Sequence, residues 1–310
     1  MKHRALLVLC SAALLCACSE QESKPAAAPK QVVYQLQDAE AFCGENAYRH
    51  CHDLCAMGPR LSGSAAYEQQ LQYLTKYLEQ YGWTVSRQAF TPPHGVPMTN
   101  LHAVYGNGPA TKRVILSCHI DTKVGIADDF VSADDGASGA SVLLESARML
   151  AKEPELAQQI ELVFFDGEEA VAPRMTEEDG LYGSKYDVQR RGEQLPEYQI
   201  NLDMVGARNK TIAVPFFDAD EELLRIYEET VQELKLNPVR WTITDEQYWD
   251  DDRPYREAGV ATINLITLFV DSIWWHTTRD NMTRICPQSL QESGLVALTM
   301  LRRLINSMQQ

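Results

Sequence analysis

The sequence predicts an α/β fold: a single domain with a central twisted, mostly parallel or mixed β-sheet flanked by helices. Two observations predict it. Short runs rich in Val, Ile, Leu and Phe alternate along the chain with segments whose apolar residues recur at helical spacing. These runs also end, again and again, in His, Asp or Glu, where an α/β sheet presents its ligand-binding side chains. No internal repeat and no second domain boundary interrupts the 310 residues, so residues 36–310 are expected to form one domain.

Residues 1–18 read as a leader. Met1-Lys2-His3-Arg4 is basic, and the apolar run at residues 5–15 is too short to span a bilayer. The run ends in Leu15-Cys16-Ala17-Cys18, which resembles the lipobox of bacterial lipoproteins. By that resemblance Cys18 would become a lipidated N-terminus in the cell envelope, facing the periplasm or the outer surface; an ordinary signal peptide with a chance Cys is the alternative. Residues 19–35, with Pro25 and Pro29 among alanines, lack apolar periodicity and read as a flexible tether.

A formal net charge of −15 argues against a nucleic-acid surface, which needs clustered Lys and Arg. Export permits disulfides. The body holds Cys43, Cys51, Cys55, Cys118 and Cys286, and a bridge from Cys43 to Cys51 or Cys55 is expected because these three crowd one segment. The run His50-Cys51-His52-Asp53-Leu54-Cys55 could pass for a metal cluster, but it has no second half of matching spacing.

The elements follow in order. A helix begins near Ala65, with Tyr67, Leu71, Leu74, Leu78 and Tyr81 at helical spacing, and Gly82 ends it. Residues 83–90 and 101–105 read as strands around a proline-rich loop, and residues 113–118 as a third. Residues 140–152 read as a helix. The apolar run at residues 161–165 is a buried strand, and residues 199–202 are another. Residues 217–236 form an acidic amphipathic helix, residues 261–266 a late strand, and Leu290, Gly294, Ala297, Leu301 and Ile305 mark a closing helix.

Six residues fall in loops just after a strand or just before a helix: His119, Asp135, Glu168, Glu169, Asp203 and His276. Imidazoles with carboxylates are the ligand set of a catalytic zinc. Each residue alone has a plain alternative as a cap, turn or core residue. Adjacent buried carboxylates such as Glu168-Glu169 are costly unless a metal or a proton-transfer role uses them.

From about Gly58 to Ile305 the chain resembles the zinc aminopeptidase family M28. The resemblance rests on His119-Ile120-Asp121, Asp134-Asp135-Gly136-Ala137-Ser138-Gly139, Glu168-Glu169, Asp203 and His276. Within that family it is most similar to the glutaminyl cyclase branch, at Phe164-Phe165-Asp166-Gly167-Glu168-Glu169-Ala170, Leu181-Tyr182-Gly183-Ser184, Leu202-Asp203-Met204-Val205-Gly206-Ala207, Asp250-Asp251, Trp275-His276-Thr277 and Asp280-Asn281. The resemblance implies the zinc-aminopeptidase, phosphorylase/hydrolase-type fold. It also implies that Asp135, Glu169 and His276 bind Zn2+ and that Glu168 is the general acid/base. One zinc is expected. A second, held by His119 and Asp203, is possible as in the aminopeptidases, whereas in the cyclases the counterpart of Asp203 pairs with a carboxylate corresponding to Asp250. Trp275 would be an aromatic wall for substrate. Two positions depart from the cyclase pattern: Arg174 stands where that branch has an aromatic, and Asp252 where it usually has His.

The implied activity is conversion of N-terminal Gln on peptides or proteins to pyroglutamate with release of ammonia. A zinc aminopeptidase is the alternative, and a non-catalytic binding ectodomain a third reading. The expected partners are peptide N-termini and, through Cys18, a membrane, with no nucleic acid.

Overall fold

The computed structural model describes residues 41–106 and 113–308. The leader, the tether and Cys18 therefore lie outside the described residues. The helices are α1 (Gly44–Cys55), α2 (Ala65–Gln80), α3 (Ala137–Leu150), α4 (Pro154–Ala157), α5 (Tyr182–Arg191), α6 (Glu221–Glu233), α7 (Asp252–Glu257) and α8 (Pro287–Ser307). The strands are β1 (Trp83–Phe90), β2 (Met98–Tyr105), β3 (Val114–His119), β4 (Ile160–Phe165), β5 (Tyr198–Asp203), β6 (Ile212–Pro215), β7 (Trp241–Thr244) and β8 (Ala261–Thr267).

One eight-stranded sheet runs β1-β2-β4-β3-β5-β8-β6-β7. Its centre, β4-β3-β5-β8, is parallel, while β1, β2 and the β8–β6 junction pair antiparallel, so the sheet is mixed as expected. The chain leaves β3 through α3 toward β4, but leaves β5 in the opposite direction toward β8. That reversal puts a crevice at the C-terminal ends of β3 and β5, the ordinary place for a ligand in an open α/β sheet.

The central strands are buried on both faces. Their side chains alternate with period two. Val114, Leu116, Cys118, Ile160, Leu162, Phe164, Ile200, Leu202, Ile263 and Leu265 belong to the main core, with residues of α1, α2, α3, α6 and α8. Ile115, Val163 and Phe165 point the other way and meet Tyr255 of α7. Every residue of α3 is buried.

Two expectations shift. The acidic helix starts at Glu221 because Phe216–Asp218 form a 3-10 turn and Asp220 caps the helix, accepting from the amides of Glu222 and Leu223. The run His50 to Cys55 is part of α1, with no metal-capable grouping there among the described residues. The expected bridge from Cys43 to Cys51 or Cys55 is not formed, and all five cysteines among the described residues are thiols. Cys51 and Cys55 sit one turn apart on α1, and their thiols donate to the carbonyls of Ala133 and Val131. Cys43 is the N-cap of α1, and a helix rise of about 1.5 Å per residue carries Cys51 and Cys55, in its later turns, beyond the ~7 Å Cα separation that a disulfide can span.

Candidate active site and metal centre

Each of the six expected residues stands at the C-terminal edge of the central strands. His119 ends β3, Asp203 ends β5, Glu168 and Glu169 follow β4 after Gly167, and His276 lies in the loop after β8. Asp135 sits just ahead of α3. The turn between them needs Gly136, whose φ is +103° and whose missing Cβ would stand 3.0 Å from the His119 ring.

Two metal-capable groups result, His119-Asp135-Asp203 and Asp135-Glu169-His276, with the ligand atoms of each within 4.8 Å of one another. Asp135 belongs to both. Its Oδ1 lies 3.1 Å from His119 Nε2 and its Oδ2 3.3 Å from His276 Nε2. Asp203 Oδ1 lies 3.2 Å from His119 Nε2, and Glu169 Oε1 3.0 Å from His276 Nε2.

A layer of hydrogen bonds holds these side chains. Asp121 accepts from the amides of Glu168 (3.1 Å) and Glu169 (3.2 Å), and its Oδ1 is 3.5 Å from His119 Nδ1. Asp280 accepts from the amides of Asp134 (2.7 Å) and Asp135 (3.1 Å), while Asp134 accepts from Gly206 (2.7 Å). Ser132, Met204 and His276 adopt φ of 50°, 48° and 50°, a conformation that costs non-glycine residues energy and collects at functional sites.

Asp203 and Asp250, the pair expected for a cyclase, each have further partners. Asp203 meets His119, as above. Asp250 Oδ1 accepts from the Asp251 amide (2.6 Å) and Asn201 Nδ2 (3.0 Å), and its Oδ2 from Asn264 Nδ2 (2.7 Å). Three amide donors thus hold the Asp250 carboxylate. The carboxylates still sense each other: burial and then the Asp250 charge push Asp203 up to about 7, against the His119 hydrogen bond.

Burial also lifts Glu168 well above the usual carboxylate range, aided by the charges of Glu169, Asp250 and Asp251. Burial and the Asp135 charge raise Glu169. Burial acts the same way on Asp135, but hydrogen bonds from His119 and His276 outweigh it and hold that carboxyl below its ordinary value. Burial works against the charge on His276, yet Asp135 and Glu169 carry it up to about 10.

Above these groups opens a cleft of about 530 Å³. Trp275 stacks on His276 (ring centroids 3.9 Å, 24° apart), and Phe269 lies 4.8 Å from Trp275 and from Tyr248. Trp249 completes an aromatic wall, while Ala170, Arg174 and Met175 contribute the opposite lip. The lip is stapled: Asp179 accepts from the amides of Val171 and Ala172 (both 2.7 Å), and Lys123 Nζ donates to the carbonyls of Ala170 and Ala172. Asp252, the second departure, does not line the cleft; it pairs with Arg256 at 3.0 Å. Lys123, Tyr248, Trp249 and Phe269 carried no signal in the sequence beyond residue type.

The family model described as Peptidase family M28 matches residues 100–301. A glutaminyl-peptide cyclotransferase of Boiga irregularis is 28% identical over 268 residues, covering 72% of this chain and 70% of the relative. The crystal structure of Porphyromonas gingivalis glutaminyl cyclase superposes with a TM-score of 0.76 at 29% identity, over 86% of this chain and all of that one (100%). Aminopeptidase YwaD of Bacillus subtilis is 30% identical over 173 residues, 52% of this chain and 35% of the relative.

Proposed function

The chain belongs to peptidase family M28, and we propose that within it the protein is a glutaminyl-peptide cyclotransferase, closing N-terminal Gln to pyroglutamate with release of ammonia. The observation that carries this reading is the position of Glu168. It stands outside both ligand groups, buried, with a raised proton affinity, in a cleft with an aromatic wall.

The donor set fits zinc. The two buried carboxylates and one imidazole of Asp135, Glu169 and His276 are a donor set from which catalytic zinc sites with an open position are built. Asp135, Glu169 and His276 would hold the ion, with His119 and Asp203 available to a second. Bound there, zinc would supply Lewis-acid polarisation of the substrate's side-chain amide carbonyl.

The rest of the chemistry falls to the chain. Trp275 offers its indole face to the apolar part of the Gln side chain. Glu168 takes a proton from the α-amine as that nitrogen bonds to the side-chain amide carbon. It then returns the proton to the amide nitrogen, so the carbon–nitrogen bond breaks and ammonia leaves. Holding the chain curled converts ring closure into a reaction of large effective molarity. The Asp250 and Asp251 charges help keep proton affinity at Glu168 high enough for the return step. Asp250 supports the acid/base step through that charge, and Asp203 is assigned beside it by the family resemblance.

A second reading, a zinc aminopeptidase, is favoured by one observation, the intact His119-Asp135-Asp203 group. Mass spectrometry of Gln-initiated peptides after incubation with zinc-loaded protein separates the two. Loss of ammonia with the rest of the peptide intact supports the cyclotransferase. Release of free amino acids from Leu- or Ala-initiated peptides, with no pyroglutamate, transfers the assignment to the aminopeptidase.

We also propose that the protein is exported and anchored in the cell envelope by lipid on Cys18, as the Leu15-Cys16-Ala17-Cys18 run suggests. Cys18→Ser should move the protein out of the membrane fraction or leave it unprocessed; unchanged fractionation would defeat the proposal.

A further inference from the structure

Resting on the cyclotransferase reading, we infer that Arg174 selects substrates carrying a carboxylate just beyond the N-terminal Gln. Arg174 lines the same cleft as Glu168, His276 and Trp275. It sits in the stapled lip, between the Asp179 and Lys123 anchors on one side and the Thr176–Asp179 backbone pair on the other. The backbone on both sides of Arg174 is therefore held, and the side chain projects from a defined place.

Its guanidinium has no hydrogen bond or ion pair among the described residues. Neighbouring cations are already engaged. Lys123 is spent on carbonyls, and Arg253 on Glu177 and Glu257, with its guanidinium 4.2 Å over the Trp249 ring. In a chain of net charge −15, an unneutralised Arg at the mouth of a reaction cleft is a recognition element awaiting its counter-ion.

The substrate's geometry says which group that is. The Gln side chain and α-amine must reach Glu168 and the metal ligands, so the second and third residues are left at the rim. A carboxylate there matches the planar two-pronged donor of Arg, and a neutral or cationic side chain does not. The carboxylate has two sources, an acidic side chain at the second or third position, or the free C-terminus of a very short peptide. Arg174 is exposed, so the pair is a screened one, and about a fivefold preference is the upper end of what it can give.

The experiment compares kcat/KM for pyroglutamate formation from Gln-Glu-Ala-amide, Gln-Ala-Ala-amide and Gln-Lys-Ala-amide with zinc-loaded protein. Gln-Ala and Gln-Ala-amide are run beside them to separate a C-terminal from a side-chain carboxylate. The wild type should favour Glu over Lys by about fivefold, shrinking as salt rises from about 0.02 M to about 0.5 M. Arg174→Met should bring the ratio to near one, Arg174→Lys should keep part of it, and Arg174→Glu should reverse it. The readout is a ratio between substrates, so a partly unfolded variant leaves it unmoved. Equal kcat/KM for the acidic and basic peptides in the wild type, or an unchanged ratio in Arg174→Met, overturns the inference alone. No pyroglutamate from any peptide overturns the cyclotransferase reading and this inference with it.

Discussion

On one face of the central sheet, Leu116 of β3 lies in the same apolar core as Leu162 of β4, Leu202 of β5 and Leu265 of β8, under α3 and α8. On the other face the alternate positions are largely polar. Ser117 donates to Asn201, Gln199 to Ser117, and Asn201 and Asn264 both hold Asp250. Toward β2 the same face carries Glu161, bound by His102 and Arg191. The polar rows run on into the site, because two residues beyond Ser117 is His119 and two beyond Asn201 is Asp203. One set of strands thus buries a hydrocarbon face that stabilises the fold and a hydrogen-bonded face that aims catalytic groups. The two should fail in different ways when cut.

The largest expected effect is at the end of the polar rows. Glu168→Gln should lower kcat by about 10³, within the usual range for losing a general acid/base, while zinc content and Tm hold or rise. Glu169→Gln should lose zinc. Equal zinc in both variants with equal loss of activity would erase the division of roles between these neighbours.

Next comes the apolar face. Leu116→Ala should cost about 3 kcal/mol, seen as a Tm lower by roughly 6–12 °C, because a buried leucine is replaced by a cavity. Activity per folded molecule should barely change. A large fall in kcat at unchanged Tm would mean the faces are not separable.

A smaller effect is pH dependence of the metal-free protein. Burial and neighbouring Asp121 raise Asp166 to about 8, burial and Asp250 raise Asp203 to about 7, and carboxylate partners raise His276 to about 10 against its burial. Above pH 6.5 all three hold more protons folded than unfolded, so the stability they lend falls as pH rises from 6.5 to about 8. Burial lowers His50 to about 3 and Lys210 to about 8; His50 acts with the opposite sign only below 6.5, while Lys210 offsets part of the fall near pH 8. Thermal unfolding with chelator should show Tm dropping by a few degrees across that window, roughly 1–3 kcal/mol. Added zinc should raise Tm more at pH 8 than at pH 6.5, since it competes with protons for these groups. A flat chelated profile would show the carboxylates unperturbed.

The smallest effect concerns the thiols of the apolar side, Cys51, Cys55 and Cys118. With no bridge to break, reductant should shift Tm by less than about 1 °C, and alkylation of the unfolded domain should find every cysteine between 41 and 308 reactive. A protected pair would restore the Cys43 bridge.

The apolar face was legible in the sequence because the apolar runs of β3 and β4 and the helical spacing in α2 and α8 are written in residue order. The candidate metal ligands were legible for a related reason: each follows a strand or, for Asp135, precedes a helix, so placing the element places the candidate. Arg174 could be placed only by resemblance. What was hidden depends on tertiary neighbours. Tyr248, Trp249 and Phe269 sit in loops brought to the cleft by strand order, which puts β8 beside β5. Lys123 looks like a surface lysine until the lip closes over it. The crowding of Cys43, Cys51 and Cys55 resembled a staple, because linear proximity does not say which way helical side chains point.

The packing of α8 has a kinetic consequence. Gly294, midway along that helix, leaves room for the Phe42 ring just ahead of α1, which would stand 2.1 Å from an added Cβ. Helix α8 also packs on α1, α3 and α6. The main core is therefore completed by contacts spanning some 250 residues, and those form only after the segment around Gly294 has emerged from synthesis. A nascent chain lacking α8 leaves α3 uncovered on one side and has no finished interior. Folding of the main core should accordingly wait until α8 has been synthesised, well after the central strands have emerged.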